Sequence, residues 1–315
     1  EDLIPERETV VALTQGGYIK RANPEEYRSQ KRGGKGTIGL ETKEEDAVEN
    51  FISGRTHDDL LLFTSRGKVF QLKMYEIPEG KRTAKGKAAV NFLPIGTEER
   101  ITSALARPKT QKGQDYSFIL ITKDGLVKKV ESGHFDDVRR SGIIAIKLQK
   151  NDVLKWVLSA EKGDHVILST KKGQAIRFKE SDVRKMGRGA QGVRAIRLKK
   201  GDELVGANVI SAKEKEALLL VVTQNGYGKK TNVRHYRLQR RGGSGIKTAK
   251  ITQKTGELVA AKVVSPELEE IIAISKKGQV IRTFLKEISE LGRQTQGVRV
   301  MRLDAKDTLA SITCL

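Results

Sequence analysis

Residues 118–129 read Phe-Ile-Leu-Ile-Thr-Lys-Asp-Gly-Leu-Val-Lys-Lys. The apolar run at the start is typical of a buried strand, and the Asp124-Gly125 pair favours the positive φ angles of a tight hairpin turn. The residues after the turn are first apolar and then basic, which indicates a second strand that returns along the first. This stretch therefore predicts a β-hairpin whose second strand carries positive charge.

The hairpin pattern recurs six times along the chain. Its turn glycines are Gly17, Gly67, Gly125, Gly173, Gly226 and Gly278. By subtraction along the sequence, successive turn glycines are 50, 58, 48, 53 and 52 residues apart. A period of this length is typical of a four-stranded propeller blade rather than of a helical repeat.

A basic loop follows each hairpin and ends at a second glycine. These loop glycines are Gly36, Gly86, Gly142, Gly192, Gly245 and Gly297. Each lies 19 residues after its turn glycine in five units and 17 residues after it in the third unit. We predict a third strand after each loop, clearest at 142–148, 192–198 and 297–303. A fourth strand is predicted beyond an acidic residue such as Asp152 or Asp202.

Four strands in each of six units predict an all-β fold, a six-bladed propeller-like ring. One blade cannot bury both of its faces alone, so radial repetition is the economical arrangement. We expect a single domain over residues 1–315, and the strand pattern from Val10 to Leu315 is interpreted as one complete ring. The expected blades are approximately residues 8–55, 56–113, 114–162, 163–212, 213–266 and 267–315.

The composition points to a polyanionic partner. Sixty Lys and Arg residues against 39 Asp and Glu residues give a formal net charge of +21, which is more than solubility requires. No apolar run approaches the length of a membrane span, so nucleic acid is favoured over a membrane surface. The single cysteine, Cys314, allows no internal disulfide and suits a reducing cytosol. We expect it to pack in the core.

The basic loops are the candidate nucleic-acid contacts. Glycine allows close approach of the backbone, while Lys and Arg supply charge and donors suited to phosphate oxygens. If equivalent positions in a ring lie at equivalent radii, the six loops form a belt of cations along one rim. The predicted DNA-binding residues are Gln30, Lys31, Arg32, Gly33, Gly34, Lys35, Gly36, Arg82, Lys85, Arg139, Arg140, Arg188, Arg240, Arg241 and Arg293.

The stiffness of DNA indicates that several blades must act together. A compact chain of this length has a radius of gyration of roughly 20 Å, so the axis of a duplex that lies on its rim follows a circle of radius about 35 Å. Half a turn on that circle takes about 33 base pairs. Elastic bending through half a circle then costs roughly 13 kcal/mol. No single loop supplies this bending energy, so several blades must contribute to it. Binding by several blades predicts that DNA affinity depends steeply on salt concentration, with about six to ten phosphates neutralised.

The loop Gln30-Lys31-Arg32-Gly33-Gly34-Lys35-Gly36 resembles the signature box of the DNA gyrase A family, Q-R-R-G-G-K-G. The likeness to the C-terminal domain of that family covers the whole chain. Lys31 is the one departure from the box, and it keeps the charge of an arginine without the forked guanidinium.

The resemblance implies a β-pinwheel in which strands are exchanged between neighbouring blades and duplex DNA is wrapped around the rim. It implies an ATP-dependent type IIA topoisomerase as the holoenzyme, whose partners are the N-terminal part of the same polypeptide and the gyrase B protein. No active site and no cofactor are expected within this chain, because ATP and Mg²⁺ belong elsewhere in the holoenzyme. The implied location is cytoplasmic, at the bacterial nucleoid, or organellar.

Three alternatives are weighed against this interpretation. The C-terminal domain of topoisomerase IV normally has a degraded box, and a protein-interaction propeller does not need the high positive charge. A propeller enzyme would need a cluster of acids or metal ligands that the sequence does not provide. The fingerprint Gly187-x-Gly189-x-x-Gly192 leads into a predicted strand rather than a helix, which argues against nucleotide binding. Tyr27 and Tyr236 are expected to pack beneath the loops rather than to contact DNA.

Overall fold

The computed structural model describes residues 3–14, 16–25, 48–81, 84–214, 216–265 and 267–314. These residues form 23 strands and several short 3₁₀ turns, arranged in six antiparallel sheets. The predicted all-β, six-bladed ring is confirmed. The loop at 30–36, Arg82 and Tyr27 lie outside the described residues.

The strands are β1 (Glu8–Thr14), β2 (Tyr18–Ala22), β3 (Val48–Arg55), β4 (Asp59–Thr64), β5 (Lys68–Lys73), β6 (Lys87–Ala88), β7 (Ile101–Arg107), β8 (Ser117–Thr122), β9 (Leu126–Glu131), β10 (Ile143–Ile144), β11 (Leu154–Ala160), β12 (His165–Thr170), β13 (Gln174–Lys179), β14 (Val193–Arg194), β15 (Leu204–Ile210), β16 (Leu218–Thr223), β17 (Tyr227–Asn232), β18 (Ile246–Lys247), β19 (Leu258–Val264), β20 (Glu270–Ser275), β21 (Val280–Phe284), β22 (Val298–Arg299) and β23 (Leu309–Cys314).

Neighbouring blades exchange a strand. The second sheet has the order β10-β5-β4-β7, in which β10 comes from the third unit, and the next three sheets each contain a strand from the following unit in the same way. The first sheet likewise takes β6 from the second unit. Among the described residues the sixth sheet has three strands, β21-β20-β23. The strands donated to the preceding blade are β6, β10, β14, β18 and β22, and each consists of two residues. Such a two-residue strand is called an exchanged pair below.

The exchanged pairs lie at the outer edge of their sheets and the long returning strands lie at the inner edge. The inner strands β3, β7, β11, β15, β19 and β23 contact one another in ring order. The first and last blades meet there, since the Thr313 hydroxyl donates to the Val48 carbonyl at 2.8 Å. A segment joined to an outer strand therefore lies on the perimeter of the ring.

The predicted third strand is shorter than expected. The heptapeptide pattern predicts one strand over 142–148, but only Ile143 and Ile144 pair with β5. The next two residues, Ala145 and Ile146, leave the sheet because both of their amides donate to the carbonyl of the turn glycine Gly67. Both side chains are buried there, so the second half of the heptapeptide packs at the contact between two units.

The turn glycines have two structural roles. Gly226 has a φ of +81°, and a Cβ atom at this position would lie 2.5 Å from the carbonyl oxygen of Met301. Gly125 likewise has a φ of +88° and its carbonyl accepts from Ala195. The positive φ predicted for the Asp-Gly turn is confined to its glycine, because Asp124 does not share it. The loop between the strands has three residues, and only its last one is left-handed.

The hydrophobic core lies between neighbouring blades. Phe63 of the second blade packs edge-on against Phe118 and Phe135 of the third unit, with ring centroids 6.3 and 5.9 Å away. All three side chains are buried. A blade separated from its neighbour would expose these rings, which is why the blades are stable only when they pack side by side.

The acidic residues that mark the fourth strand cap the hairpin turns. The Asp152 carboxylate accepts the backbone amide of Asp124 at 3.1 Å, and Asp202 accepts that of Lys172 at 3.0 Å. Asp307 accepts from Lys277 in the same way. These carboxylates are therefore structural.

Candidate nucleic-acid interface

Here a rim loop is the basic segment that ends at a loop glycine, and its described residues are 81 and 84–86, 139–142, 187–192, 239–245 and 292–297 in units two to six. Each leads directly into an exchanged pair, so each lies at the outer edge of the ring. Lys85, Arg139, Arg140 and Arg240 are exposed, whereas Arg188, Arg241 and Arg293 are half-buried. Where the structure describes them, the predicted residues thus lie on one perimeter.

Three loop arginines make the same contact in successive units. Nη1 of Arg188 donates to the carbonyl of Ile144 at 3.1 Å, and Nη1 of Arg241 donates to that of Arg194 at 3.0 Å. Nη1 of Arg293 donates to the carbonyl of Lys247 at 2.7 Å. Each acceptor is the last residue of the exchanged pair of the preceding unit. One nitrogen of each guanidinium therefore ties the loop to its neighbour, a role that the sequence did not predict.

The remaining described loop cations vary in their contacts. Arg140 is largely exposed, yet it forms an ion pair with Glu76 at 2.7 Å. The ammonium of Lys85 lies 4.3 Å from the centroid of the Tyr18 ring. An exposed ion pair of this kind contributes little to stability, so Arg140 stays accessible to a competing anion.

The structure adds six exposed cations to the candidate contacts predicted from the sequence. They occupy the positions two and five residues after the loop glycine in units four to six. They are called the perimeter cations and are Arg194, Arg197, Lys247, Lys250, Arg299 and Arg302. The signal is present in the sequence as the repeat Gly-Val-Arg-x-x-Arg at 192–197 and 297–302. That pattern predicts a strand but does not indicate the edge on which its cations lie.

Backbone hydrogen bonds place the perimeter cations beside the next rim loop. The amide of Arg197 donates to Gly243 at 2.8 Å, and the amide of Lys250 donates to Thr295 at 3.0 Å. The amide of Lys147 makes the same contact with Ala190 at 3.2 Å. The cations of one unit are thus adjacent to the loop of the next, and the positive perimeter is continuous from the third unit to the sixth.

The loop glycines pack against the neighbouring blade. A Cβ atom on Gly192 would lie 2.6 Å from the carbonyl oxygen of Val127, and one on Gly297 would lie 2.7 Å from that of Gly228. Both glycines also have positive φ angles. The interpretation that these glycines leave room for a ligand was therefore wrong at the last loop position, where the close neighbour is the protein itself.

A buried lysine lies beneath every second rim loop. Nζ of Lys128 lies within hydrogen-bond distance of four carbonyl oxygens, those of Gly187, Arg188 and Ala190 at 2.5 to 3.1 Å and that of Ala145 at 2.6 Å. The three N–H groups of the ammonium are shared among them. Lys229 lies equally deep in the fold, with 1% of its surface exposed. Burial, together with the nearby Arg188 guanidinium, lowers the pKa of Lys128 to about 8.

Lys229 repeats these contacts two blades further on. Its Nζ donates to the carbonyls of Gly292, Arg293 and Thr295 at 2.7 to 2.9 Å. Lys20 occupies the same place in the first blade and donates to the carbonyls of Lys81 and Ala84. In the second and fourth blades the equivalent residues are apolar, Phe70 and Ile176. The rim loops therefore alternate between lysine-centred and apolar-centred loops.

The shifted pKa of Lys229 gives a testable dependence of stability on pH. Burial and the Arg293 guanidinium lower this pKa from 10.5 to about 8. Between these two values the unfolded chain binds more protons than the folded chain, so the free energy of unfolding rises with pH. We expect the wild type to gain stability relative to a Lys229→Met variant as the pH is raised from 8 to 10.5. Denaturant unfolding of both proteins at the two pH values measures this, and an equal response of both would contradict it.

Other candidate sites find no support in the described part of the chain. Gly187-x-Gly189-x-x-Gly192 leads into the exchanged pair β14 and not into a helix. Within the described ranges no cluster of three or more His, Cys, Asp or Glu side chains could hold a metal ion, and no helix is long and apolar enough to cross a membrane. Tyr236 is buried and contacts the Thr248 hydroxyl at 2.6 Å, which confirms its predicted packing role. Cys314 packs against the core of the last blade, as predicted.

The fold and this edge together define a class of protein: a six-bladed β-propeller with exchanged outer strands and a repeated cationic perimeter. The family model for the DNA gyrase C-terminal domain, a β-propeller, matches the chain in six segments, residues 8–53, 58–106, 116–161, 164–211, 217–265 and 269–315. The chain belongs to this family.

Known relatives and solved structures agree with this assignment. The DNA gyrase A protein of Lawsonia intracellularis is 41% identical over 305 residues, which cover 96% of this chain and 37% of that protein. The DNA gyrase A protein of Staphylococcus aureus strain MRSA252 is 42% identical over 303 residues, 96% of this chain and 34% of that protein. The chain thus spans little more than a third of the length of these relatives.

Among solved structures, a DNA gyrase A C-terminal domain aligns with a TM-score of 0.76 and 33% identity over 98% of this chain and 99% of that one. The C-terminal domain of DNA topoisomerase IV aligns with a TM-score of 0.80 at 24% identity, over 99% of this chain and 94% of that one. At 24% identity, the match to the topoisomerase IV domain supports the fold alone.

Proposed function

We propose that this chain binds duplex DNA along its cationic outer edge and wraps it, as the C-terminal domain of a DNA gyrase A protein. The observation that carries the proposal is the repetition of exposed cations beside the exchanged pairs, in register with the rim loops. Evenly repeated cations share the bending energy of a stiff duplex among several blades. Contacts of this kind go to phosphates and position DNA without reading its sequence.

The contact residues follow from the same proposal. The predicted residues in the described rim loops and the perimeter cations contact phosphates of one continuous DNA path. Arg82 and the box at 30–36 belong to the proposed interface because of their sequence. In the box, Lys31 supplies charge where the family has the bidentate donor arginine.

The activity of the whole protein is proposed from the family. The chain acts within an ATP-dependent type IIA topoisomerase that introduces negative supercoils, together with the gyrase B protein and the N-terminal part of its own polypeptide. ATP and Mg²⁺ are used by those other parts. Its proposed location is the cytoplasm, on the chromosomal DNA.

A plasmid experiment tests the wrapping. Nicked circular plasmid is ligated with increasing amounts of the protein at low salt, and the topoisomers are resolved after the protein is removed. We expect a shift toward a positive linking difference that grows with the protein concentration. The shift should be lost when residues 30–36 are all replaced by alanine. If the wild type causes no shift at low salt, the proposed wrapping is wrong.

A further inference from the structure

Two rim loops in alternate blades share one internal geometry that the general charge of the edge does not explain. In 187–192 the amide of Ala190 donates back to Gly187, and in 292–297 the amide of Thr295 donates back to Gly292. Each loop closes around a buried lysine ammonium, Lys128 or Lys229 respectively. The six residues of each loop therefore adopt the same turn over the same cation.

The direction of the carbonyls fixes the direction of the amides. Because the C=O and N–H of one trans peptide plane point in opposite directions, inward carbonyls at the first, second and fourth loop positions turn the amides of the second, third and fifth positions outward. Those of Arg188, Gly189 and Gln191 donate to no acceptor among the described residues, and the same is true of Arg293, Gln294 and Gln296. Successive amides of this kind form a concavity that suits an anion.

The glycines of these loops point to close approach by another molecule. Gly187, Gly189 and Gly292 lie outside the left-handed region, and a Cβ atom on any of them would meet nothing within 4 Å. The fold therefore does not require glycine at these positions, although glycine costs conformational entropy. The space beside the backbone is therefore open at these three glycines.

We propose that the loops 187–192 and 292–297 are two phosphate-binding sites on the DNA path, and that Lys128 and Lys229 are their positioning residues. Each lysine holds the carbonyls inward, turns the amides outward and places a positive charge behind them. Arg188 and Arg293, the second residues of the two loops, each add a further positive charge to the site. This inference rests on the proposed DNA binding and assigns the contacts to alternate blades.

The first test adds methyl groups to the open face. The variant Gly187→Ala/Gly189→Ala/Gly292→Ala is compared with Gly96→Ala, whose Cβ position is equally open but lies outside the rim loops. Binding of a duplex of about 40 base pairs is measured against salt concentration. We expect the thermal midpoint to be kept in both variants, and the log–log salt slope of the triple variant to decrease by about 2, since each phosphate contributes about 0.9.

The second test removes the positioning residues. Lys128→Met/Lys229→Met is expected to lose the same slope of about 2, whereas Ile176→Met, a control beneath an apolar-centred loop, keeps the wild-type slope. A lower thermal midpoint with an unchanged slope would show that the lysines are only structural. Wild-type binding by the triple glycine variant would overturn the two sites while the plasmid shift still stands. Absence of the plasmid shift in the wild type would instead overturn the wrapping itself.

Discussion

Replacement of Gly226 by alanine is expected to lower the free energy of unfolding by about 3 kcal/mol, from the backbone conformation and a clash together. The left-handed conformation at φ +81° costs a residue with a Cβ atom about 1 to 2 kcal/mol. The added methyl group would also lie 2.5 Å from the Met301 carbonyl oxygen, so the seam between the fifth and sixth units must move. Equilibrium denaturation in urea measures the change.

Gly163→Ala is the matched control for this substitution. Gly163 has a φ of +94°, but its Cβ atom would meet only the Cβ of Ala212 at 3.5 Å, an ordinary contact. The control therefore carries the cost of the backbone conformation, about 1 to 2 kcal/mol, without the clash. Equal losses of stability in the two variants would show that the contact between units contributes nothing.

The sequence predicted the local elements of the blades because they depend on local signals. The apolar run at 118–122 and the turn ending at Gly125 define a hairpin without reference to the rest of the chain. The exchange of strands is different, since Ile143 pairs with Val69 from another unit. Residue patterns contain no information on which of two equivalent blades receives a strand. Here the expectation of exchange came only from the family resemblance.

The buried lysines show where a pattern misleads. In the sequence Lys128 and Lys229 belong to basic second strands, and a lysine in such a strand normally faces solvent. They are buried because a loop from the next unit covers them and supplies carbonyl acceptors. That loop lies about 60 residues further along the chain. Only the assembled ring shows that Lys128 and Lys229 contact carbonyls on the inner side of the loops. The perimeter cations, in contrast, are exposed at the outer edge.

Alanine at all six perimeter cations is expected to abolish the topoisomer shift and to lower the salt slope for duplex binding by about 5, taking about 0.9 for each phosphate lost. The six side chains are exposed, so we expect the ring to stay folded. Arg299 also contacts the Tyr227 hydroxyl at 3.1 Å, and a small loss of stability at that position alone is consistent with the proposal. Titration of a labelled duplex at several salt concentrations gives the slope.

A control variant of equal charge separates the perimeter from the overall charge of the protein. Six exposed lysines lie in the connections that flank the inner strands, and the control replaces them with alanine: Lys109, Lys150, Lys162, Lys199, Lys200 and Lys213. Both variants reduce the formal charge from +21 to +15, because six cations are removed from each. If DNA follows the outer edge, the control retains most of the slope and the plasmid shift. If both variants lose the slope equally, DNA is held by the diffuse field of the whole surface, and a bend shared among blades has no physical basis.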